Sequence, residues 1–373
     1  MNDMMGLIYT GEMDERLREL TAMRAVAAVP MLARYRLIDF PLSSMVDSGI
    51  RNIGVIMQRN YHSLLDHLGS GKEWDLHGKR SGLVILPPFL TRDNVGLYEG
   101  FLDAIRSNLS FLRRSKETYV VLSNSHILYS ARFEDMVSFH EKMGADITVM
   151  YTKDRGARRN GSGKYAQVAE DGRITQIEVD PIIPRFDATM TEVFLLKREL
   201  LIMLCDRATS RGQYHFTRQL LMNAVNDRSL AVYGFECPGR VWPIDSVQAY
   251  YQCNMDLLKA DNRASIFPED RPVWTKLRDE MPTRYLPGAH VQNSFIADGC
   301  ILEGTVENSV LFRSVRVEKD AVVRNSIIMQ DGRIGSLSEL DHCILDKQVT
   351  IRENTRLIGP MNYPVVIAKN LTV

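Results

Sequence analysis

Up to about Leu258, the chain alternates short apolar runs with longer stretches whose apolar residues recur at helical spacing. The apolar runs predict buried strands, and the amphipathic stretches predict helices. The clearest examples are the strands Val55 to Met57, Tyr119 to Leu122 and Ile147 to Tyr151, and the helices Tyr61 to Leu68, Gly100 to Leu112 and Phe133 to Met143. This alternation predicts an α/β domain around a largely parallel sheet. Because such sheets bind ligands at the carboxyl ends of their strands, we expect functional residues just after Leu122.

The pattern changes beyond about Ala289, where short apolar pairs are separated by Asn, Ser, Asp and Gly. Polar dipeptides recur every 15 to 17 residues, at Asn293-Ser294, Asn308-Ser309, Asn325-Ser326 and Asp341-His342. This period, with aliphatic residues in six-residue steps, predicts a parallel β-helix of stacked coils. The expected inward-facing residues are Ile296, Ile301, Val306, Val310, Val315, Val317, Val322 and Ile327. An antiparallel β-sandwich is the alternative, because alternating strands can imitate a short run of hexads.

A proline-rich stretch separates the two patterns and predicts a linker. It contains Pro268, Pro272, Pro282 and Pro287. We therefore divide the chain into an α/β domain (1–262), a linker (263–288) and a β-helix domain (289–373). Two domains also suit the length of 373 residues, because single cores stop growing near roughly 250–300 residues.

Charge and composition narrow the function classes. The 46 Lys and Arg balance the 46 Asp and Glu, so no overall charge favours nucleic acid or an anionic membrane. No apolar run approaches the roughly 20 residues of a membrane helix, and the N-terminus lacks a basic region before its apolar residues, so we expect a cytoplasmic protein. Five cysteines without a C-x-x-C pair argue against a disulfide framework and a zinc site.

Several motifs follow one another in the order of a known enzyme family. They are Arg34 to Ser43, Asp47 to Ile50, Trp74 to Leu76, Val84 to Pro88, Val120 to His126, Glu170 to Ile174 and Asn254 to Leu258. Together they resemble the bacterial glucose-1-phosphate adenylyltransferases, which form ADP-glucose and pyrophosphate from ATP and glucose 1-phosphate. The resemblance implies a Rossmann-like nucleotidyltransferase domain with a mixed sheet, then a left-handed parallel β-helix of hexapeptide coils, usually assembled as a tetramer.

The phosphate-binding motifs of that family are altered here. Its glycine-rich loop corresponds to Gly11 to Thr21, where two glycine positions hold Glu12 and Asp14, whose negative charges would repel a triphosphate. Its phosphate-facing lysine corresponds to Val26, which cannot stabilise a phosphate oxygen. At the position of the lysine that holds the sugar phosphate stands Asp180, which reverses the sign of the charge.

The metal-binding carboxylates are altered as well. Ser125 replaces the first aspartate and is a poor ligand for Mg²⁺. Ungapped counting places Pro243 at the second aspartate, although Asp245 lies two residues away and could restore a carboxylate. Three residues keep the family's nucleotide-binding pattern and are expected as vestiges of that site: Arg16, Gln58 and Gly100.

Four arginines correspond to, or lie beside, an effector site of the family that takes sugar phosphates or inorganic anions. They are Arg24, Arg34, Arg36 and Arg316. The planar guanidinium group suits phosphate because it donates two parallel hydrogen bonds. Surface arginines in solvated ion pairs are the equally supported alternative.

Loss of these groups removes each class of transition-state stabiliser, so we expect an inactive or nearly inactive chain. The pattern resembles the family's non-catalytic companion subunit, which implies a hetero-oligomer with a catalytic subunit. Mg²⁺ would belong to that partner, and we expect no cofactor in this chain, nor a nucleic-acid or membrane partner. An active sugar-nucleotide transferase with an altered site, using Asp245 and either Asp180 or Asp14 to bind metal, is the second hypothesis. A β-helix acyltransferase using His290 or His342 is the third.

Overall fold

The computed structural model of the protein describes residues 3–11, 15–78, 81–88, 97–157, 162–209 and 211–373. The strands of the N-terminal domain are β1 (Met4–Tyr9), β2 (Pro30–Met31), β3 (Tyr35–Arg36), β4 (Ile53–Ile56), β5 (Leu83–Leu86), β6 (Tyr119–Asn124), β7 (Ile127–Leu128), β8 (Ile147–Thr152), β9 (Lys164–Val168), β10 (Ile174–Val179), β11 (Ala188–Lys197), β12 (Val232–Glu236) and β13 (Trp242–Pro243). Its helices are α1 (Asp39–Asp47), α2 (His62–Leu68), α3 (Phe101–Ser107), α4 (Leu109–Arg114), α5 (Phe133–Met143), α6 (Arg198–Thr209), α7 (Met222–Asn226), α8 (Val247–Asp256) and α9 (Ala260–Ile266).

A mixed sheet forms the centre of this domain, and nine of the described strands belong to it. Its main order is β10-β9-β11-β6-β1-β4-β5, and β8 pairs with both β11 and β12. Strands β6, β1, β4 and β5 run parallel, whereas β11 runs antiparallel to β6. All six residues of β1 are buried because apolar clusters cover both faces of the sheet. The predicted α/β class is confirmed.

Local sequence signals set two helix ends. Helix α5 is followed by Gly144 at φ 58°, the left-handed conformation that ends many helices. Helix α8 begins after Ser246, whose side-chain oxygen accepts a hydrogen bond from the Ala249 backbone N–H at 3.1 Å. This cap fixes the position of Asp245, immediately before it.

The C-terminal domain consists of three parallel sheets, each with five strands among the described residues. The first sheet contains β14 (Arg284–Tyr285), β17 (Ile301–Leu302), β20 (Arg316–Val317), β23 (Arg333–Ile334) and β26 (Thr350–Ile351). The second contains β15 (His290–Gln292), β18 (Thr305–Glu307), β21 (Val322–Arg324), β24 (Glu339–Asp341) and β27 (Arg356–Ile358). The third contains β16 (Phe295–Ile296), β19 (Val310–Leu311), β22 (Ile327–Ile328), β25 (Cys343–Leu345) and β28 (Val365–Ile367). Their parallel pairing confirms the β-helix and excludes the β-sandwich.

Three of the expected inward-facing residues, Ile296, Ile301 and Val322, are only half-buried, whereas Leu302 and Val323, which follow the last two, are fully buried. The prediction is therefore one residue out of register in β17 and β21, because successive side chains of a strand point to opposite faces. The repeated polar dipeptides form turns between the strands. Their residues Asn293, Asn308, Asn325 and His342 all have positive φ angles, between 44° and 51°.

Parts of the predicted linker 263–288 have regular secondary structure. Helix α9 extends into it, and β14 already pairs with β17 of the β-helix, so the irregular segment is 267–283. The Trp274 backbone N–H donates to Ser43 Oγ at 2.8 Å, and its indole N–H donates to Asp47 at 3.2 Å. The segment is therefore held against α1 of the N-terminal domain.

Candidate functional site

A cleft of about 550 Å³ lies where β1, β4 and β6 end, next to the beginning of β11. Its walls include Tyr9 at the end of β1, Gly11 two residues later, Gln58 after β4 and Asn124 at the end of β6. This is the edge of the sheet at which parallel strands present their carboxyl ends, and it is where the sequence predicts functional residues.

The predicted nucleotide-binding residue Gln58 is held by the protein itself. Its Oε1 accepts a hydrogen bond from the Tyr9 hydroxyl at 2.9 Å, and its Nε2 donates to the Tyr98 carbonyl at 2.9 Å. A Cβ at Gly11 would lie 1.9 Å from Gln58 Oε1, so a larger residue at this position would displace the Gln58 side chain from its place. Arg16 lines the same cleft. Glu12 and Asp14 lie outside the described residues.

Gly100 begins α3 at the opposite wall. A Cβ there would lie 2.6 Å from His215 Nδ1 and 2.7 Å from the Tyr214 carbonyl oxygen, so only glycine fits. The next residue, Phe101, stacks on Tyr9 with ring centroids 5.1 Å apart and an interplanar angle of 5°. These two rings close part of the cleft that β1 and α3 border.

The two predicted metal positions have different environments. Ser125 is 1% exposed and does not line the cleft, and its Oγ has no hydrogen-bond partner within the described residues. Pro243 pairs with Ile127 across β13 and β7, and it does line the cleft. Asp245 also faces the cleft, and its carboxylate accepts a hydrogen bond from Ser162 Oγ at 2.8 Å. Across the described ranges, no three His, Cys, Asp or Glu side chains are grouped as a metal site.

Asp180, at the sugar-phosphate position, forms an ion pair with Arg218 at 3.0 Å. Its other carboxylate oxygen accepts a hydrogen bond from the Gly163 backbone N–H at 3.0 Å. Both side chains line the cleft, so the Asp180 carboxylate neutralises the charge that the Arg218 guanidinium would otherwise present to a ligand there. Val26, by contrast, is fully buried in the apolar cluster that joins the two domains, away from the cleft.

A second charged pair lies deeper in the cleft and was not predicted from sequence. The Glu192 carboxylate, 6% exposed, pairs with Lys164 and accepts a hydrogen bond from Asn124. His126 Nε2 lies 4.0 Å from the same carboxylate. Glu192 has a φ of 56° where the register between β11 and β8 is irregular, and such strain in a non-glycine residue often marks a functional site. Asn124 and His126 belong to the motif Val120 to His126, whereas Lys164 and Glu192 come from two other segments of the chain that no motif marks.

A second, smaller cavity of about 40 Å³ lies between the two domains, and we call it the basic pocket. The cations that line it are Arg34, Arg36, Lys276, Arg278, Arg313 and Lys347. The linker residues Lys276 and Arg278 also pair with Asp66, on α2. The pocket therefore combines charges from the N-terminal domain, the linker and the β-helix.

Burial, with the nearby positive charges as a second cause, lowers the pKa values of three of these cations, Lys347, Arg36 and Arg313. Burial, reinforced by the positive charges of Arg36 and Arg24, lowers the pKa of Lys347 to about 7 against the opposing attraction of Asp346. Burial lowers the pKa of Arg36 to about 10, although Asp39 favours its charged form. The described lining of the basic pocket therefore carries more positive than negative charge.

The structure brings together two of the four predicted effector arginines, Arg34 and Arg36. Arg24 lies outside the lining, because its guanidinium pairs with both oxygens of Asp346 at 2.7 and 3.0 Å. Arg316 is exposed on β20 and does not reach the pocket, whereas Arg313, three residues earlier, does. The resemblance predicted Arg316 for this site, whereas the β-helix arginine that lines the pocket is Arg313, in the turn before β20.

Comparison with known proteins places this architecture in a class. Residues 5–260 match the nucleotidyl transferase family, and residues 284–360 match the GlmU-like C-terminal hexapeptide family. The fold and the cleft are thus those of a nucleotidyl transferase joined to a hexapeptide β-helix.

Individual proteins that are similar to this chain over most of their length define the family more closely. The glycogen biosynthesis protein GlgD of Bacillus subtilis (strain 168) is 35% identical over 99% of this chain and 97% of its own length. GlgD of Geobacillus stearothermophilus is 36% identical over 86% of this chain and 83% of its own length. A glucose-1-phosphate adenylyltransferase of Thermomicrobium roseum is 35% identical over 96% of this chain and 84% of its own length. The chain belongs to the family that contains the glucose-1-phosphate adenylyltransferases and the GlgD proteins.

Within the described part of the chain, none of the helices has the length and apolar character needed to span a membrane.

Proposed function

We propose that this chain is a regulatory, catalytically defective subunit of a glucose-1-phosphate adenylyltransferase in glycogen biosynthesis. It would assemble with a catalytic subunit, as a hetero-oligomer and most simply a tetramer, and change the activity of that subunit. The names of its relatives support the pathway, since they combine glycogen biosynthesis with the adenylyltransferase reaction.

The charge of the cleft carries the proposal. The reaction joins a sugar phosphate to the α-phosphate of a triphosphate, so an active site needs an excess of cations or a bound metal ion. The charged residues among the described lining are four cations and five carboxylates: Arg16, Arg59, Lys164 and Arg218 against Glu15, Glu99, Asp180, Glu192 and Asp245. Two of the four cations pair with carboxylates inside the cleft. A negative or neutral lining opposes the binding of ATP and glucose 1-phosphate.

The two positions that correspond to the family's metal-binding aspartates also support a catalytically defective subunit. Ser125 does not face the cleft, and Pro243 offers no ligand. We therefore propose that Mg²⁺ acts in the catalytic partner and that this chain contributes no cofactor. Its contribution to the reaction would be a change in the conformation of its partner, which requires different contacts in two states of the assembly.

The basic pocket is the proposed regulatory site. Six cations around a cavity at the junction of three chain segments favour a phosphate or sugar phosphate. An anion bound there would attract Arg34 and Arg36 on one domain and Arg313 and Lys347 on the other. It would therefore stabilise one relative arrangement of the domains, and through it one state of the oligomer.

The test combines the chain with a catalytic subunit from the same organism. Co-elution in size-exclusion chromatography reports assembly, and ADP-glucose formation is measured with and without an equimolar amount of this chain. We expect kcat/KM or its response to phosphate to change about 5- to 150-fold, the usual range of allosteric coupling. An R34Q/R313Q variant should assemble normally and lose only the phosphate response. Co-elution without any change in rate or phosphate response, or absence of co-elution, would contradict the proposal.

Asp245 favours the second function, an active transferase with an altered metal site, because its carboxylate does face the cleft. That function predicts that MgATP raises the Tm of the isolated chain and that D245N abolishes the increase. Under the leading proposal, MgATP leaves the Tm of both proteins unchanged.

A further inference from the structure

Lys347 has an unusual position among the cations of the basic pocket. It follows β25 and lines the cavity together with Arg34, Arg36 and Arg313. Within the described residues its ammonium group forms no ion pair, and the neighbouring carboxylate of Asp346 is occupied on both oxygens by Arg24. The amine therefore faces an anion-binding cavity with guanidinium groups around it.

We propose that Lys347 is a site of N-acylation and that its donor is an acyl phosphate, a compound in which a phosphate head carries the acyl group. The inference rests on the proposed binding of anions in the basic pocket. The guanidinium groups of the arginines would bind the phosphate group of the donor. The acyl carbon attached to that phosphate would then lie beside the amine of Lys347.

The protonation state of the amine supports this chemistry. An ordinary lysine with a pKa near 10.4 is neutral in fewer than about one molecule in a thousand at pH 7. The pKa of Lys347 is lowered to about 7, so about half of the amines are neutral at that pH. The charges that act on this amine are those of Arg24, Arg36, Arg278 and Asp346, and only the last opposes the shift. Only the neutral amine is a nucleophile.

The step is a simple acyl transfer. The lone pair of Lys347 Nζ attacks the carbonyl carbon, and a C–N bond forms. The C–O bond to phosphate then breaks, inorganic phosphate leaves with the electron pair, and the nitrogen loses one proton to solvent. The guanidinium groups of Arg34 and Arg36 would stabilise the negative charge that develops on the leaving group.

The product would change the pocket in two ways. The amide carries no charge at any physiological pH, and its acyl group occupies part of a cavity of only about 40 Å³. Acylation would therefore weaken anion binding and would act as a switch on the proposed regulatory site.

The full-length chain is incubated with acetyl phosphate, and acetylation of each lysine is followed by peptide mass spectrometry. We expect Lys347 to react at least tenfold faster than the exposed Lys116 and Lys259. Inorganic phosphate should slow Lys347 alone, and R34Q/R313Q should slow it about tenfold while circular dichroism confirms the native fold. An acetyl ester of N-hydroxysuccinimide, which carries the same acyl group without phosphate, should react at a rate that phosphate does not change.

Two results would overturn the inference. The first is labelling of Lys347 no faster than that of the control lysines. The second is fast labelling that neither phosphate nor R34Q/R313Q slows, which would identify a reactive amine without a donor site. Sulfate binding to the basic pocket, measured by the Tm, separates the two proposals. If sulfate raises the Tm but Lys347 is not acetylated, only the acylation proposal is contradicted. If sulfate does not raise the Tm and Lys347 is not acetylated, the proposed regulatory site is contradicted as well.

Discussion

Arg24 of the N-terminal domain donates from one guanidinium nitrogen, Nη2, to both carboxylate oxygens of Asp346 in the β-helix, at 2.7 and 3.0 Å, and the two side chains are only 4% and 2% exposed. The pair lies beside an apolar cluster to which both domains contribute, including Tyr250 and Phe312. The two domains therefore form one packed unit around the pair, and a change in the basic pocket next to it can reach both.

Replacement of Arg24 tests this junction. R24A leaves the Asp346 carboxylate buried without its partner, which we expect to reduce the free energy of unfolding by about 3–5 kcal/mol. R113A removes an exposed pair with Asp206 and should cost less than about 1 kcal/mol. Urea unfolding followed by circular dichroism measures both values. Equal, small losses in the two variants would show that the buried pair does not hold the domains together.

The pKa of Lys347 makes anion binding depend on pH. Below about pH 7 the amine is charged and the pocket has one more cation, so sulfate should raise the Tm more at pH 6 than at pH 8. Sulfate is the appropriate probe because its own charge is constant over this range. The K347M variant should show the same sulfate effect at both pH values. If K347M keeps the full difference between the two pH values, Lys347 is not the group responsible, and the assignment is contradicted.

The fit of Gly100 against the segment 214–215 tests the geometry of the cleft wall. G100A places a Cβ within 2.7 Å of two atoms, one of them a backbone oxygen, and we expect a loss of about 1–3 kcal/mol. Gly239 is the matched control, because a Cβ there would meet no atom closer than 3.5 Å. Chemical unfolding of G100A and G239A gives the comparison, and an unaffected G100A would mean that α3 lies further from His215.

The ion pair between Asp180 and Arg218 predicts an effect on sugar-phosphate binding. D180N releases the guanidinium of Arg218 into the cleft, so glucose 1-phosphate should bind about tenfold more tightly at low salt. E178Q, which removes the partner of Arg185 outside the cleft lining, should leave the affinity unchanged. Isothermal titration calorimetry gives the dissociation constants. Equal affinities for D180N and the unaltered chain would show that the carboxylate does not block this cation.

The local sequence pattern was enough to predict the strands and helices, whereas the two candidate sites could be recognised only from the folded structure. The 15- to 17-residue period was enough for the β-helix, because each coil repeats the same turn and the same buried column. It failed at Ile301 and Val322, where the next residue of the strand is the one that faces inward. The basic pocket joins Arg34 to Arg313 and Lys347, which lie 279 and 313 residues further along the sequence, so no local spacing could reveal it. The same holds for the pair of Lys164 with Glu192.

The most direct test of the central claim is ADP-glucose formation by the isolated chain, with saturating MgATP and glucose 1-phosphate and with a chromatographic fraction from cells lacking the gene as the contaminant control. Loss of several electrostatic contacts, each worth roughly 10²- to 10³-fold in rate, predicts turnover indistinguishable from that control. Turnover clearly above the control, and sensitive to D245N, would contradict the account.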